Sequence, residues 1–168
     1  MPEHLAKNPQ GLVPILSIDG HHLTQSVAII DYLDQKFPEP PLFPTDIYER
    51  AKILAQMFVI VAEIQPINNL GVGNYLKSDF GADGKDVVKW MHHWMADGFS
   101  ALEQMAPESG FFGGDIPNIV DVCLVPQFYN ARRFEVDLGA FPNLVRIDEE
   151  CSGLEAFQKA HPDAVKPK

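Results

Sequence analysis

Four of the seven residues from Pro38 to Pro44 are proline: Pro38, Pro40, Pro41 and Pro44. Each fixes φ and lacks a backbone N–H, so the run can continue neither a helix nor an interior strand. What folds on either side must fold as separate pieces. Residues 38–44 therefore read as a linker between a short segment, 1–37, and a long one, 45–168.

In the short segment, Leu12 to Ile18 is an apolar run with β-branched residues. Asp19-Gly20 supplies a turn, and His21 to Thr24 can return as a second strand. A helix should follow at once, with Ser26 as its N-cap. Ile29, Ile30, Tyr32, Leu33 and Phe37 then share one face, Asp31, Asp34 and Gln35 look away, and Pro38 stops the helix. Free N–H groups and the positive dipole end near Gln25 and Ser26 suit a carboxylate or phosphate. The bland alternative is a serine that only caps its helix.

In the long segment, Asp46 with Glu49 three residues on can form a capping box. The helix it starts carries Leu54, Met57, Phe58 and Val61 on one face, and Pro66 should kink it near its middle. After a turn at Gly81 to Gly84, a second helix runs from Lys85 to Met105 with Trp90 and Trp94 as core anchors. Asn118 and Asp121 occupy N-cap and N3 of a further helix, so Asp121 reads as a folding element rather than an acid or base. Ile119, Val120, Val122, Cys123, Leu124 and Val125 make that helix apolar around its circumference, which predicts the buried centre of the long segment. Shorter helices should follow Pro142 and lie near Leu154, ahead of a polar tail from Pro162 to Lys168.

A net charge of −10 opposes the basic footprint that nucleic acid or an anionic membrane requires, so neither is an expected partner. No apolar run approaches the roughly 20 residues of a membrane span, and no signal peptide opens the chain. Cys123 and Cys151 lie far apart without a C-x-x-C, which favours reduced thiols in a cytoplasm. The pairs His21-His22 and His92-His93 diverge on a strand or helix, so no metal site is expected. No nucleophile elbow accompanies them.

Val13-Pro14 followed by L-T-Q-S-V-A-I-I-D-Y-L, Leu23 to Leu33, resembles the glutathione-binding half of a glutathione transferase. N-P-Q-G-L-V-P, N-N-L, G-D-I-P-N-I-V-D-V-C-L-V-P-Q, N-A-R-R-F and E-A-F-Q-K-A-H-P-D are similar to the zeta class, which includes the maleylacetoacetate and maleylpyruvate isomerases. Five ordered motifs over nearly the whole chain are far more specific than any one. The resemblance implies a mostly α fold, with a glutathione-transferase-like all-helical C-terminal domain and a truncated thioredoxin-like α/β N-terminal remnant. It also implies a glutathione-dependent cis–trans isomerase of aromatic amino-acid catabolism, acting on a small dicarboxylate.

By the same resemblance, Pro14 is a cis proline that turns the Val13 backbone toward glutathione, and Gln25 and Ser26 hold the γ-glutamyl carboxylate. Asn68 and Asn69 match amides near the glutathione and substrate pocket, and Arg133 matches an arginine that faces the acidic substrate. A permanently charged, bidentate guanidinium suits a dicarboxylate, although the residue type alone favours a surface ion pair. The family adds glutathione thiolate across the double bond, lets the single bond rotate, and eliminates the thiolate. The serine and cysteine motif that stabilises that thiolate is not among these residues, nor is a β-α-β unit of about thirty residues. No catalytic residue is therefore assigned. The expectation is an isomerase impaired as it stands, with a noncatalytic glutathione-transferase-like binding or assembly module as the alternative. An unpaired strand edge left by the missing unit predicts a homodimer or larger assembly.

Overall fold

The computed structural model describes residues 2–166, which fall into two compact units, Met1–Leu42 and Phe43–Lys168. Pro167 and Lys168, the end of the expected polar tail, lie outside the described residues.

The first unit opens with helix α1 (Pro2–Lys7), which no periodicity announces; a Glu3–Lys7 pair at 3.3 Å spans its single long turn. Buried Asn8 then organises the loop. Its Nδ2 donates to the Leu12 carbonyl at 2.8 Å, and its Oδ1 accepts from the Gln10 N–H at 3.0 Å. The Val13–Pro14 peptide is cis. Strands β1 (Ile15–Ile18) and β2 (His21–Thr24) pair antiparallel, Ile15 opposite Thr24 and Ile18 opposite His21. Positive φ at both Asp19 and Gly20 gives the turn the twist a tight hairpin needs. The ladder starts three residues later than the apolar run suggested, because Pro14 has no N–H to contribute.

Helix α2 (Ser26–Lys36) follows β2. Tyr32 and Lys36 both bond the Asp19 carboxylate, tying the helix to the hairpin turn. Of its expected apolar face only Ile29 is buried. Phe37 is 59% exposed, because the helix has already ended and Phe37 leaves the helical spacing as C-cap. Asp34, expected to face away, instead accepts the Leu42 N–H at 2.6 Å.

The second unit is entirely helical in its regular elements. The Asp46 carboxylate accepts from the Tyr48 and Glu49 N–H groups, 3.0 Å each, and starts α3 (Ile47–Phe58). No kinked continuous helix follows. The chain widens into a π-helical stretch, Val59–Ile64, closed by Gln65 N–H to Ile60 O at 2.9 Å. Pro66 falls in the turn after it, and a new helix, α4 (Leu70–Phe80), starts at the N-cap Asn69. Helix α5 (Gly84–Met105) begins with a reciprocal Asp83–Asp86 capping box, and α6 (Ile119–Arg133) with the expected Asn118–Asp121 box. Then come α7 (Pro142–Ser152), α8 (Glu155–Ala160) and a single turn, α9 (Pro162–Val165), within the segment read as a tail.

Helix α6 packs on α3, α7 and the π-helical stretch, while α5 packs on that stretch and on α7. Met57, Ile64, Met95, Phe99, Leu102, Leu124, Phe128, Leu144 and Ile147 have no exposure, and the Phe99 ring lies 4.9 Å from Phe128 and 5.6 Å from Phe141. A Cβ on Gly98 would sit 2.3 Å from Ile64 Cγ1, so α5 approaches the π-helical stretch where only glycine leaves room. Two expectations change here. Trp90 and Trp94 are half-buried rather than central, and Trp90 Nε1 donates to the Ile67 carbonyl at 3.0 Å. Helix α6 is buried on one side only: Val122, Cys123 and Val125 are half-buried and Pro126 is exposed.

Candidate functional site

In the first unit the chemistry collects at the start of α2. Gln25, not Ser26, is the N-cap; its backbone has φ 70 and ψ 120, and its side chain makes no capping bond. Ser26 is the first helical residue, because the chain leaves β2 through a left-handed residue that already turns it into the helix. The Ile29 N–H to Gln25 carbonyl bond, 3.0 Å, closes the first turn. The N–H groups of Ser26, Val27 and Ala28 therefore have no acceptor within the helix. No acidic residue occupies that turn. Three donors, the dipole and an exposed Ser26 hydroxyl make a site for a carboxylate.

Two neighbours complete this end of the unit. Val13 is 82% exposed and precedes the β1–β2 ladder, so its backbone stays outside the sheet bonding. Gln25 Nε2 donates to Gln10 Oε1 at 2.9 Å. Sequence reading assigned no role to Gln10: it is fifteen residues from Gln25, beyond the reach of any helical or strand period.

In the second unit, Asn68 and Asn69 sit together before α4 and behave differently. Asn69 is the N-cap, its Oδ1 accepting from Val72 at 3.0 Å and its Nδ2 donating to Pro66 O at 2.6 Å. Its side chain is committed to the fold. Asn68 is 5% exposed, and neither its Nδ2 nor its Oδ1 has a hydrogen-bond partner. A buried amide left open at both ends costs on the order of 1–3 kcal/mol per group, so it is set up to receive a polar ligand or water. Arg133 ends α6 exposed, its guanidinium 5.9 Å from the Phe134 ring centroid. Among the described residues it has no ion-pair partner. Its neighbour Arg132 instead pairs with buried Asp148 at 2.6 Å. Burial lifts the Asp148 carboxyl, and the Arg132 hydrogen bond opposes that rise.

Asp121 has no exposure and accepts from three backbone N–H groups: Asn118 at 2.8 Å, Phe112 at 3.0 Å and Gly113 at 3.3 Å. Burial raises its pKa and those three donors pull it back. It is the lock between the 110–117 loop and α6. The open side of α6 faces a cavity of about 680 Å³ bordered by α7, α8 and α9, with Val125, Tyr129, Phe157 and the Arg132–Asp148 pair on its walls. Burial pushes the Cys123 thiol up to about 11, and burial with nearby carboxylates pushes Cys151 to about 12, so neither is a ready nucleophile. Among the described residues no group of three or more His, Cys, Asp or Glu could hold a metal ion, and no helix is long and apolar enough to cross a membrane.

Residues 1–41 match the family model described as "Glutathione S-transferase, N-terminal domain". The maleylacetoacetate isomerase of Rhizobium meliloti (strain 1021) is 47% identical over 169 residues, covering 99% of this chain and 79% of the relative. A holo structure of a bacterial zeta-class maleylpyruvate isomerase superposes with a TM-score of 0.95 at 38% identity, covering 100% of this chain and 81% of that one. A maleylacetoacetate isomerase of Methylobacterium extorquens AM1, solved with bound malonate and glutathione, gives a TM-score of 0.92 at 31% identity over 99% of this chain and 80% of that one.

Proposed function

The chain belongs to the zeta-class glutathione transferases, the family of maleylacetoacetate isomerase, and from that membership we propose that it binds glutathione and serves the cis–trans isomerisation of a small dicarboxylate. The observation that carries this reading is the open start of α2, with three free N–H groups and no acidic side chain, its N-cap one residue after the Thr24 that pairs with Ile15 of β1. Val13 offers glutathione a strand-like pair of hydrogen bonds. Ser26 and the helix start take the γ-glutamyl end. Titration calorimetry with glutathione tests this: binding is expected, and a Gln25→Ala, Ser26→Ala double variant should abolish it. Equal affinity in the two proteins would overturn the reading.

On the substrate side, the unpartnered amide of Asn68 and the exposed guanidinium of Arg133 suit carboxylate and carbonyl oxygens. The malonate in the Methylobacterium relative fits the same chemistry. Asn69, matched with Asn68 in sequence, acts as a helix cap that shapes the turn carrying Asn68. Domain boundaries at 1–37, 38–44 and 45–168 go with this reading.

Burial raises both thiols of the chain, so neither is a ready nucleophile. That favours a second reading for these 168 residues taken alone: a glutathione-transferase-like binding or assembly module that turns over little substrate. Glutathione-dependent isomerisation of maleylacetoacetate or maleylpyruvate above the free-thiol background would exclude it. The free cysteines suit a reducing compartment such as the cytoplasm. Among the described residues the sheet has two strands, and Leu12, Val13 and Phe37 of the same unit are largely exposed, which supports a homodimer that covers this surface. Light scattering that finds a dilute, well-folded monomer would exclude that assembly.

A further inference from the structure

We infer that Gln10 is a positioning residue that fixes the Gln25 amide with its oxygen free to accept from the γ-glutamyl ammonium group of glutathione, so that the site distinguishes glutathione from an analogue lacking that amine. The inference rests on the glutathione reading above and adds a division of labour within it. A γ-glutamyl group presents a carboxylate and an ammonium on one carbon. The start of α2 supplies donors, which suit the carboxylate. The ammonium needs an acceptor, and Gln25 Oε1 is the side-chain amide oxygen at that helix start.

A glutamine amide has one donor end and one acceptor end, and an exposed one turns over freely. Here Gln25 Nε2 donates to Gln10 Oε1 at 2.9 Å, so turning the Gln25 amide alone would set two oxygens against each other. Gln10 is itself anchored at its backbone. Its N–H donates to Asn8 Oδ1 at 3.0 Å, the next N–H, of Gly11, to Asn8 O at 2.9 Å, and Asn8 is 3% exposed. Asn8 also holds the Leu12 carbonyl, one residue before Val13. A buried side chain thus sets the loop that carries the Gln10 backbone, and the Gln10 side-chain oxygen holds the Gln25 amide nitrogen. Gln25 takes a left-handed backbone that suits few side chains, which fits a residue kept for where its amide lies.

The test is calorimetry on the 168-residue chain with two ligands, glutathione and glutaryl-cysteinylglycine, which keeps the carboxylate and lacks the amine. Wild type should prefer glutathione about tenfold, the scale of one charge-assisted hydrogen bond. Gln10→Leu, which has no acceptor, should lose affinity for glutathione alone and bring the ratio near one. Gln10→Glu can only accept, so it should keep or raise the ratio. Gln10 is exposed and both substitutions leave its backbone bonds in place, so thermal midpoints should not move. The inference is overturned if wild type shows no preference, if Gln10→Leu keeps the preference or weakens both ligands alike, or if Gln10→Glu loses it. A wild type that binds neither ligand, or a Gln25→Ala, Ser26→Ala variant that binds both as wild type does, removes the glutathione reading itself and the inference with it.

Discussion

Between Pro2 and Leu42 only Asn8 and Ile29 are buried, whereas from Phe43 onward the buried set includes Met57, Ile64, Met95, Phe99, Leu124, Phe128 and Ile147 along with Asp121 and Asp148. The first unit is specified by hydrogen bonds near its surface, such as Asn8 to Leu12 and Gln25 to Gln10. The second is specified by apolar packing, with buried Asp121 capping α6 and buried Asp148 paired with Arg132. A two-stranded hairpin with two short helices buries too little to be firm alone. It does leave open the donors and exposed backbone that a peptide-like ligand can pair with. Ligand-binding segments are generally drawn from the less stable parts of a fold, and the contrast here follows that rule.

If the contrast holds, the largest effect belongs to Asp121. Asp121→Ala strands one buried and two part-buried N–H donors and should lower unfolding free energy by about 2 to 3 kcal/mol, read from both thermal and chemical midpoints. Unchanged midpoints would mean the box is not what holds the second unit. Glu103 comes next. From α5 it accepts the Asn143 N–H, the Asn143 Nδ2 and the Leu144 N–H, at 3.0, 2.8 and 3.0 Å, and so caps α7 across the fold. Glu103→Ala should cost about 2 kcal/mol. In the first unit, Asn8→Ala should hasten amide exchange in the 8–12 loop while leaving the unfolding free energy of the main transition within about 0.5 kcal/mol of wild type. A full drop in midpoint would show the two units unfolding as one.

A further effect is a pH dependence. Both thiols titrate higher in the folded chain, at about 11 for Cys123 and about 12 for Cys151, than the ordinary 9.0. The folded state therefore favours the neutral thiol. That contribution is complete below pH 9 and is lost as pH rises toward 11 and 12. Chemical midpoints followed from pH 8 to about 11 should fall, and Cys123→Ala should reduce the slope. The first unit contains no cysteine, so its exchange rates should not depend on that substitution.

The Asp19-Gly20 hairpin turn, the Asn118–Asp121 box and the long helix ending at Met105 were legible in the sequence, and so was the family. Each of the three structural signals lies within one turn of helix or one tight bend, where neighbouring residues alone fix which hydrogen bonds are possible. Gln25 and Ser26 lie at the start of α2, but Ser26 is not its cap: a left-handed Gln25 is, and no single-residue propensity announces that. Asn69 was legible as an amide at a helix start, not as one already committed to its cap.

What tertiary structure alone decided depends on partners far along the chain. Glu103 finds α7 forty residues on, and Gln10 finds Gln25 fifteen residues on. Gly98 lets α5 press against Ile64, where the expected kinked helix is instead a π-helical stretch followed by a new helix at Asn69. The apolar circumference of α6 said it should be buried, but burial belongs to the packing around a helix. With α7, α8 and α9 closing only the margins of its outer side, Val122, Val125 and Pro126 line a cavity instead. Local sequence fixes which bonds a segment can make with itself, whereas the choice among distant partners is made only when the core closes around them.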